Sequence, residues 1–221
     1  MSWFIRYLDS SLGKKLVMAV TGLFLYLYLI IHLAANLFLL RNDGGKVFND
    51  YAEFMGSGIN IPIRIIEIVL FLAFAYHIIN GIRLWFSNRS ARQIPYKEYK
   101  PSANSTFYSR FMIQSGIVVF IFLVLHLMDF FIPYRFSNPN LTMYDSAVLK
   151  FSNTWWSIMY IAAMVLLAFH LVHAFQSGFQ TLGLRHTKYT AFIKGFGAVF
   201  SILICIGFAI IPLYFILGGG K

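Results

Sequence analysis

The sequence contains few charged residues. Asp, Glu, Lys and Arg make up 12% of its 221 residues, and 59% of the residues are hydrophobic. Soluble domains carry about 25% charged residues, so this composition excludes an ordinary soluble domain. Crossing a bilayer takes about 20 apolar residues, and five runs are long enough: 16–40, 63–86, 110–133, 154–178 and 192–217. The predicted fold is an all-α membrane protein, a bundle of five transmembrane helices in one domain over residues 1–221.

Cysteine is nearly absent. Cys205, in the fifth run, is the only one. Disulfides, cysteine-rich zinc sites and iron–sulfur clusters all need more thiols than this. The motif Cys-x-x-Cys-His does not occur, which excludes a covalently attached haem. We also expect no cleaved signal peptide, because the run after Lys14 and Lys15 is too long for one and lacks a small-residue cleavage site.

Acidic residues are scarce as well, 8 against 18 basic ones, which gives a net charge of +10. Twelve basic residues precede the first run or lie around the links after the second and fourth: Arg6, Lys14, Lys15, Arg83, Arg89, Arg92, Lys97, Lys100, Arg110, Arg185, Lys188 and Lys194. The positive-inside rule then predicts a cytoplasmic N-terminus and an external C-terminus. This one-sided distribution indicates a docking face for a soluble partner or anionic lipid, and argues against nucleic acid as the partner.

Four of the five runs carry histidine, namely His32, His77, His126, and His170 together with His173. An ionisable side chain at membrane depth is a functional hypothesis by default. Distances along the chain from the charged edges put His32 and His126 nearer the outside, and His77 and His170 nearer the inside. At about 1.5 Å per residue, the two layers are expected to lie about 15 Å apart.

Two imidazoles in each layer limit the choice of metal. A tetrahedral zinc site needs more ligands, whereas haem brings four equatorial nitrogens and takes only axial ligands from the protein. We therefore predict two bis-histidine b haems, which carry electrons because no position on the iron stays open. Gly22 and Gly116 each lie ten residues before an outer histidine, at the inner level, where a small residue lets a porphyrin approach the backbone. A single transmembrane histidine is as often a helix-packing residue as a functional one. Two pairs that match in depth favour metal binding.

The order of runs and histidines resembles the di-haem cytochrome b membrane-anchor subunit of succinate dehydrogenase and fumarate reductase, the succinate:quinone oxidoreductases. The local motifs are Thr21-Gly-Leu-Phe-Leu, His32-Leu-Ala-Ala-Asn36, His77-x-x-x-Gly81, and His170 followed thirteen residues later by Gly183. Each motif is weak alone, and the likeness covers nearly the whole chain. The last spacing favours His170 over His173 as the fourth ligand.

The resemblance implies an anchor in the inner membrane of a prokaryote for two cytoplasmic subunits, a flavoprotein with FAD and an iron–sulfur protein. Within respiratory complex II of the tricarboxylic acid cycle, electrons would reach a quinone, menaquinone by resemblance, near the outer surface. The dicarboxylate active site would lie on another subunit. The sequence does not determine whether succinate is oxidised or fumarate reduced.

Two further sets of residues are predicted. The inner haem's propionates are expected to meet Lys14, Lys15, Arg83, Arg110 and His173, which could form charge-assisted bonds. The quinone site is expected near Asn36, Asp50, Glu53 and Asp129. We favour Glu53 as the proton-transfer group, because a carboxylate at a lipid boundary suits proton exchange. For each proposed propionate partner alone, a residue that merely marks the basic edge is an equally good explanation. For Glu53 and Asp50 alone, an ordinary solvated charge is a slightly better one.

Two other functions remain open at this stage. A di-haem cytochrome b of a hydrogenase, formate dehydrogenase or ascorbate-linked reductase would share the histidines but not these spacings. A transporter could use buried histidines to relay protons. The odd number of spans and the lack of a mid-membrane acid argue against a transporter.

Overall fold

The computed structural model describes residues 3–91, 106–137 and 141–220. All regular structure in these ranges is helical. The helices are α1 (Trp3–Asp9), α2 (Ser11–Asn36), α3 (Lys46–Gly56), α4 (Ile61–Ser90), α5 (Phe107–Arg110), α6 (Met112–His126), α7 (Met143–Phe151), α8 (Thr154–Thr181) and α9 (Thr190–Ile216).

Five helical stretches among these residues are long and apolar enough to cross a membrane: Ser11–Leu40, Ile61–Ser90, Met112–Phe136, Thr154–Thr181 and Thr190–Ile216. This confirms the predicted fold class. The remaining short helices form the ends of the bundle. The basic link predicted at 87–109 falls largely outside the described residues, and so do its residues Arg92, Lys97 and Lys100.

Local signals define the helix ends. The Ser10 side chain accepts a hydrogen bond from the Gly13 amide, so α2 begins several residues before the predicted start and already includes Lys14 and Lys15. Pro62 stands in the first turn of α4, where its missing N–H costs nothing. Asn153 caps α8 by accepting from the amides of Trp155 and Trp156.

The third span runs past its predicted end. α6 continues into π-helical turns at Leu127–Phe131 and Pro133–Ser137. The polar link between the third and fourth runs, 134–153, contains α7, which buries Tyr144, Ala147 and Phe151. The spacing of these apolar residues, three to four apart, gives one buried helix face within a segment of mixed composition.

The core lies between α2, α8 and α9, where Tyr26, Leu167, Leu171, Phe175 and Ile204 pack together. α4 packs mainly on α2, and α6 packs on α8. A second cluster joins α3 and α7 to the ends of α8 and α9, through Leu39, Phe48, Tyr144, Phe151 and Phe215. We call this the capped end of the bundle, and the opposite end, with Lys14, Arg83 and Arg110, the basic end.

Candidate metal centres

His32 and His126 lie side by side toward the capped end. α2 carries His32 and α6 carries His126, and their ring centroids are 5.8 Å apart at an interplanar angle of 88°. Aromatic rings enclose the pair: Phe122 and Phe130 lie on His126, and Phe208 on His32. The outer histidines of the sequence analysis are therefore neighbours.

His77 and His170 form a second pair toward the basic end. α4 and α8 bring their ring centroids to 6.4 Å, with an interplanar angle of 68°. A Cβ built on Gly22 would lie 3.2 Å from His77 Cε1, and one built on Gly116 would lie 3.6 Å from His170 Cε1. Both glycines thus lie at the level of this pair, as predicted, ten residues or about 15 Å along α2 and α6 from the other pair. Gly81, one turn after His77, faces the Met18 side chain.

The two pairs fit a metal that needs two axial ligands. Two imidazoles that bind one metal from opposite sides, each at about 2 Å, hold their ring centroids about 6 Å apart. Among the described residues, no group of three or more His, Cys, Asp or Glu is close enough to form a metal site by itself. Within the same residues, the buried Nδ1 atoms of His126 and His170 have no hydrogen-bond partner. A haem, which contributes four nitrogens of its own, suits such pairs.

The Thr21 hydroxyl connects α2 to His77. Thr21 Oγ1 donates to the Val17 carbonyl at 2.8 Å and lies 3.4 Å from His77 Nδ1. Since a hydroxyl has one proton and that proton goes to the carbonyl, the oxygen is left to accept from Nδ1–H. This contact favours the tautomer in which Nε2 keeps a free lone pair, as a metal ligand requires.

His32 has polar neighbours on its own helix. The Tyr28 ring stacks on His32 with a centroid separation of 5.3 Å, and its hydroxyl lies 3.4 Å from His32 Nδ1. Asn36, predicted near the quinone, donates to the His32 carbonyl at 2.7 Å. In this structure Asn36 therefore helps to hold the last turn of α2 around the histidine.

The predicted propionate partners lie at the basic end, where Asp9 engages two of them. Lys14 Nζ is 3.0 Å from Asp9 Oδ1, and Arg83 reaches the same oxygen at 3.9 Å. The hydrogen bond from Lys14 lowers the pKa of the Asp9 carboxyl, and the Lys14 charge adds to the effect. Asn80, which is 2% exposed, donates to the Lys14 carbonyl at 3.0 Å and ties α4 to α2.

The other members of that set lie on α2, α5 and α8. Lys15 is exposed on α2, and Arg110 is half-buried at the end of α5. His173 is half-buried on α8, one turn beyond His170.

Asp129 lies in a polar cluster at the capped end. Its Oδ1 accepts from Lys150 Nζ at 2.7 Å, and its Oδ2 accepts from the Tyr160 hydroxyl at 2.8 Å. Tyr160 is 5% exposed, and its ring centroid is 6.2 Å from that of His126. The Lys150 ammonium also lies 4.1 Å from the centre of the Trp156 ring.

Glu53 and Asp50 are exposed on α3. This helix is held by residues from two spans. The Tyr134 hydroxyl donates to the Ala52 carbonyl at 3.0 Å, Arg135 donates to the Gly56 carbonyl at 2.8 Å, and Arg64 donates to the Met55 carbonyl. Arg64 also pairs with Glu67, as expected from their spacing. Glu53 is near enough to Tyr134 to act on it electrostatically.

Sequence reasoning missed several residues around the pairs: Asp9, Thr21, Tyr28, Asn80, Lys150 and Tyr160. Thr21 precedes Gly22 in a motif that was singled out, so its place beside the inner layer could have been found by helical spacing. Lys150 is on α7, in the link between the third and fourth runs, and no local pattern connects it to Asp129, 21 residues earlier.

Comparison with known families bears on these centres. Residues 16–96 match the family described as the succinate dehydrogenase/fumarate reductase transmembrane subunit. This part of the chain is similar to that family. The resemblance predicted from the sequence is thereby confirmed over the first two spans, which carry one histidine of each pair. No curated protein and no solved structure matches the chain.

The match is to a membrane subunit of succinate dehydrogenase or fumarate reductase, and it covers the first two of the five spans. The five apolar helices agree with that, since they make it an integral, multi-pass membrane protein. Subunits of this family work together with other subunits of the enzyme.

Proposed function

We propose that the chain is the electron-transfer anchor of a succinate:quinone oxidoreductase, passing electrons between an iron–sulfur subunit and a membrane quinone. The proposal is carried by the two histidine pairs, which lie on four helices. The ring centroids are 5.8 Å apart in His32–His126 and 6.4 Å apart in His77–His170. The family match over residues 16–96 favours this enzyme over a hydrogenase or formate dehydrogenase cytochrome.

In this proposal each pair holds one b haem. His32 and His126 would hold the haem toward the capped end, and His77 and His170 would hold the one toward the basic end. A haem bound this way takes up and passes on single electrons through its iron. The protein's part is to fix the ring positions: Thr21 accepts from His77 Nδ1–H, and Tyr28 packs against His32. Gly22 and Gly116 keep the backbone of α2 and α6 free of side chains beside His77 and His170.

The basic end supplies positive charge for the carboxylates of the group held by His77 and His170. Lys14, Lys15, Arg83, Arg110 and His173 are the proposed partners. Asp9 already pairs with Lys14 and Arg83, so those two form a shared network in which a second carboxylate competes with Asp9. The same end, if cytoplasmic as its basic residues indicate, is the proposed docking face for the iron–sulfur and flavoprotein subunits.

The quinone is proposed to react near the capped end, with menaquinone as the expected type. Glu53 is the proposed group that exchanges protons with the external water, since it is exposed on α3 and lies within electrostatic range of Tyr134. Asp50 is the neighbouring alternative. Asn36 contributes by holding the His32 turn.

A spectrum of the purified complex tests the proposal. We expect a reduced-minus-oxidised difference spectrum with b-type bands, and two haems per copy of this chain by extraction. A complex without b-type bands would overturn it and leave the proton-relaying transporter as the better reading. One haem per chain would limit the proposal to a single pair.

A further inference from the structure

A cavity of about 340 Å³ opens at the capped end, between the end of the third span, α7 and the start of α8. Its wall includes Asp129, Pro133, Leu149, Lys150, Asn153 and Trp156. The first turn of α8 also carries Trp155, which is 81% exposed. Tryptophan at the end of a transmembrane span lies at the level of the lipid headgroups. The cavity therefore opens at headgroup depth, within reach of the surrounding lipid.

The cavity wall holds one charge of each sign. Lys150 Nζ and Asp129 Oδ1 are 2.7 Å apart, and their side chains are 22% and 11% exposed. A charge that is largely removed from water needs an opposite charge close by. A purely anionic ligand would be repelled by Asp129, and a purely cationic one would be repelled by Lys150. A zwitterion, which carries both charges on one small group, meets each side chain with its opposite.

Both side chains keep capacity for further hydrogen bonds. Among the described residues, Lys150 donates one N–H to Asp129 and approaches the face of Trp156 at 4.1 Å, so one of its three N–H groups remains. Asp129 accepts one hydrogen bond on each oxygen, from Lys150 and from the Tyr160 hydroxyl, and each oxygen keeps a second lone pair. A ligand can therefore bind both groups without breaking their pair.

The start of α8 strengthens the side of the cavity that favours an anion. Asn153 caps this helix through its side-chain oxygen, 3.0 Å from the Trp155 amide nitrogen, which leaves its own amide N–H groups as donors. The N-terminus of a helix also carries partial positive charge. A phosphate between Lys150 and Asn153 is thus favoured by both side chains and by the helix. Pro133 and Leu149 supply apolar wall for the chains attached to the phosphate.

We propose that this cavity binds the headgroup of a zwitterionic phospholipid, with the phosphate at Lys150 and Asn153 and the ammonium at Asp129. A primary ammonium of the ethanolamine type suits Asp129 better than the quaternary ammonium of choline, because only the primary one has N–H groups to donate. A choline ammonium would use an aromatic face, and Lys150 already lies on a face of Trp156. Such a site depends on neither haem nor quinone.

Native mass spectrometry of the purified protein tests the site. The protein, with the subunits that co-purify, is stripped of lipid in detergent and titrated with phospholipids of identical acyl chains that carry ethanolamine, choline or glycerol headgroups. We expect one ethanolamine lipid per chain to bind about tenfold or more tightly than the other two, because it alone gains a hydrogen bond to a charged group at both ends. Equal dissociation constants for the three headgroups would overturn the proposal.

Charge variants test the contacts. Asp129→Asn keeps the size of the side chain but leaves Lys150 uncompensated, so the preference should change to the anionic glycerol lipid. Lys150→Met should weaken binding of the ethanolamine lipid about tenfold or more, because the phosphate loses a charged donor. Asp145→Asn and Lys46→Met remove the same charges at exposed positions of the capped end. These two are the matched controls and should leave the preference and the affinity unchanged.

Size-exclusion chromatography and circular dichroism show whether each variant is folded. Where one charge variant does not fold, the other decides the outcome together with the headgroup series on the parent. A folded Asp129→Asn protein that still prefers the ethanolamine lipid would overturn the proposal, and so would a folded Lys150→Met protein of unchanged affinity. Displacement of the bound lipid by excess short-chain quinone would also overturn it, and would assign the cavity to quinone instead.

Discussion

His170 and His173 are one turn apart on α8, and only His170 pairs its ring with His77, at 6.4 Å. We expect His170→Ala to lose the haem nearer the basic end and to keep the other. His173→Ala should keep both, because its ring is not part of that pair. Haem extracted per polypeptide gives the count. One haem in the His173 variant and two in the His170 variant would reverse the assignment.

The Thr21 hydroxyl is the second residue whose role can be measured. A hydrogen bond accepted from the far nitrogen of a ligating imidazole makes the ligand more basic and stabilises the oxidised metal. Thr21→Val removes that acceptor, so the reduction potential of the haem nearer the basic end should rise. Loss of such a contact costs about 10–100-fold in metal affinity, so haem retention should fall as well.

Redox titration followed by optical spectra measures the Thr21 effect. Thr21→Ser keeps the hydroxyl and should restore the parent potential. Tyr28→Phe lies beside His32 and should shift only the other haem. Equal potentials in Thr21→Val and the parent would show that the 3.4 Å contact has no role in tuning the metal.

Glu53 gives a prediction about proton transfer. In Glu53→Gln the two haems and the quinone affinity should be retained, while quinone turnover falls, because the neutral amide cannot exchange a proton. Asp145→Asn, at an exposed position on α7, is the control for loss of one surface charge. Turnover that drops equally in both variants would point to general surface charge rather than to Glu53.

At the scale of the helix, close approach between α2 and α4 depends on Gly22. A Cβ there would already lie 3.2 Å from His77 Cε1, which is closer than ordinary contact. Gly22→Leu should therefore displace the His77 ring and abolish the haem that it holds, with the His32–His126 pair unaffected. Gly195 on α9 faces open space, so Gly195→Leu is the matched control. Haem content and the b-band positions report the outcome, and two normal haems in Gly22→Leu would contradict it.

The short helices of the capped end are elements that the apolar runs do not predict. α3 ends against Tyr134, Arg135 and Arg64, which supply donors to its last carbonyl groups. A helix leaves its final four carbonyls without intrahelical partners, so Arg64 and Arg135, which donate to two of them, serve as its C-terminal cap. Tyr134 binds the Ala52 carbonyl one turn before the helix end. Tyr134 and Arg135 lie on the π-helical turn that extends the third span past Asp129. These contacts with α3 therefore depend on that extension.

At the scale of the whole molecule, the basic residues predict the orientation in the membrane. We expect the N-terminus on the cytoplasmic side and the C-terminus, after five spans, on the external side. Cysteine-scanning with a membrane-impermeant thiol reagent measures this, using single cysteines at Lys188 and at Asp145 in a Cys205→Ser background. The Asp145 position should react from outside and the Lys188 position only after the membrane is opened. The reverse pattern would contradict the predicted orientation.

The sequence by itself determined the number of spans, the basic end and the two histidine layers. Apolar length sets the spans, and a fixed rise per residue converts chain position to depth, so both can be derived without knowing how helices pack. Depth calculated from chain position predicts that Gly22 and Gly116 lie at the level of His77 and His170, and the structure confirms this.

Only the tertiary structure decided which groups act across helices. Depth gives no rotation about a helix axis, so it could not show that Thr21 reaches His77 or that Lys150 on α7 reaches Asp129 at the end of the third span. α7 is not among the apolar runs because its apolar face is short; this face packs on α3, on the end of the third span, and on α8 and α9. These contacts join residues distant in sequence, and their geometry depends on the packing of the entire bundle.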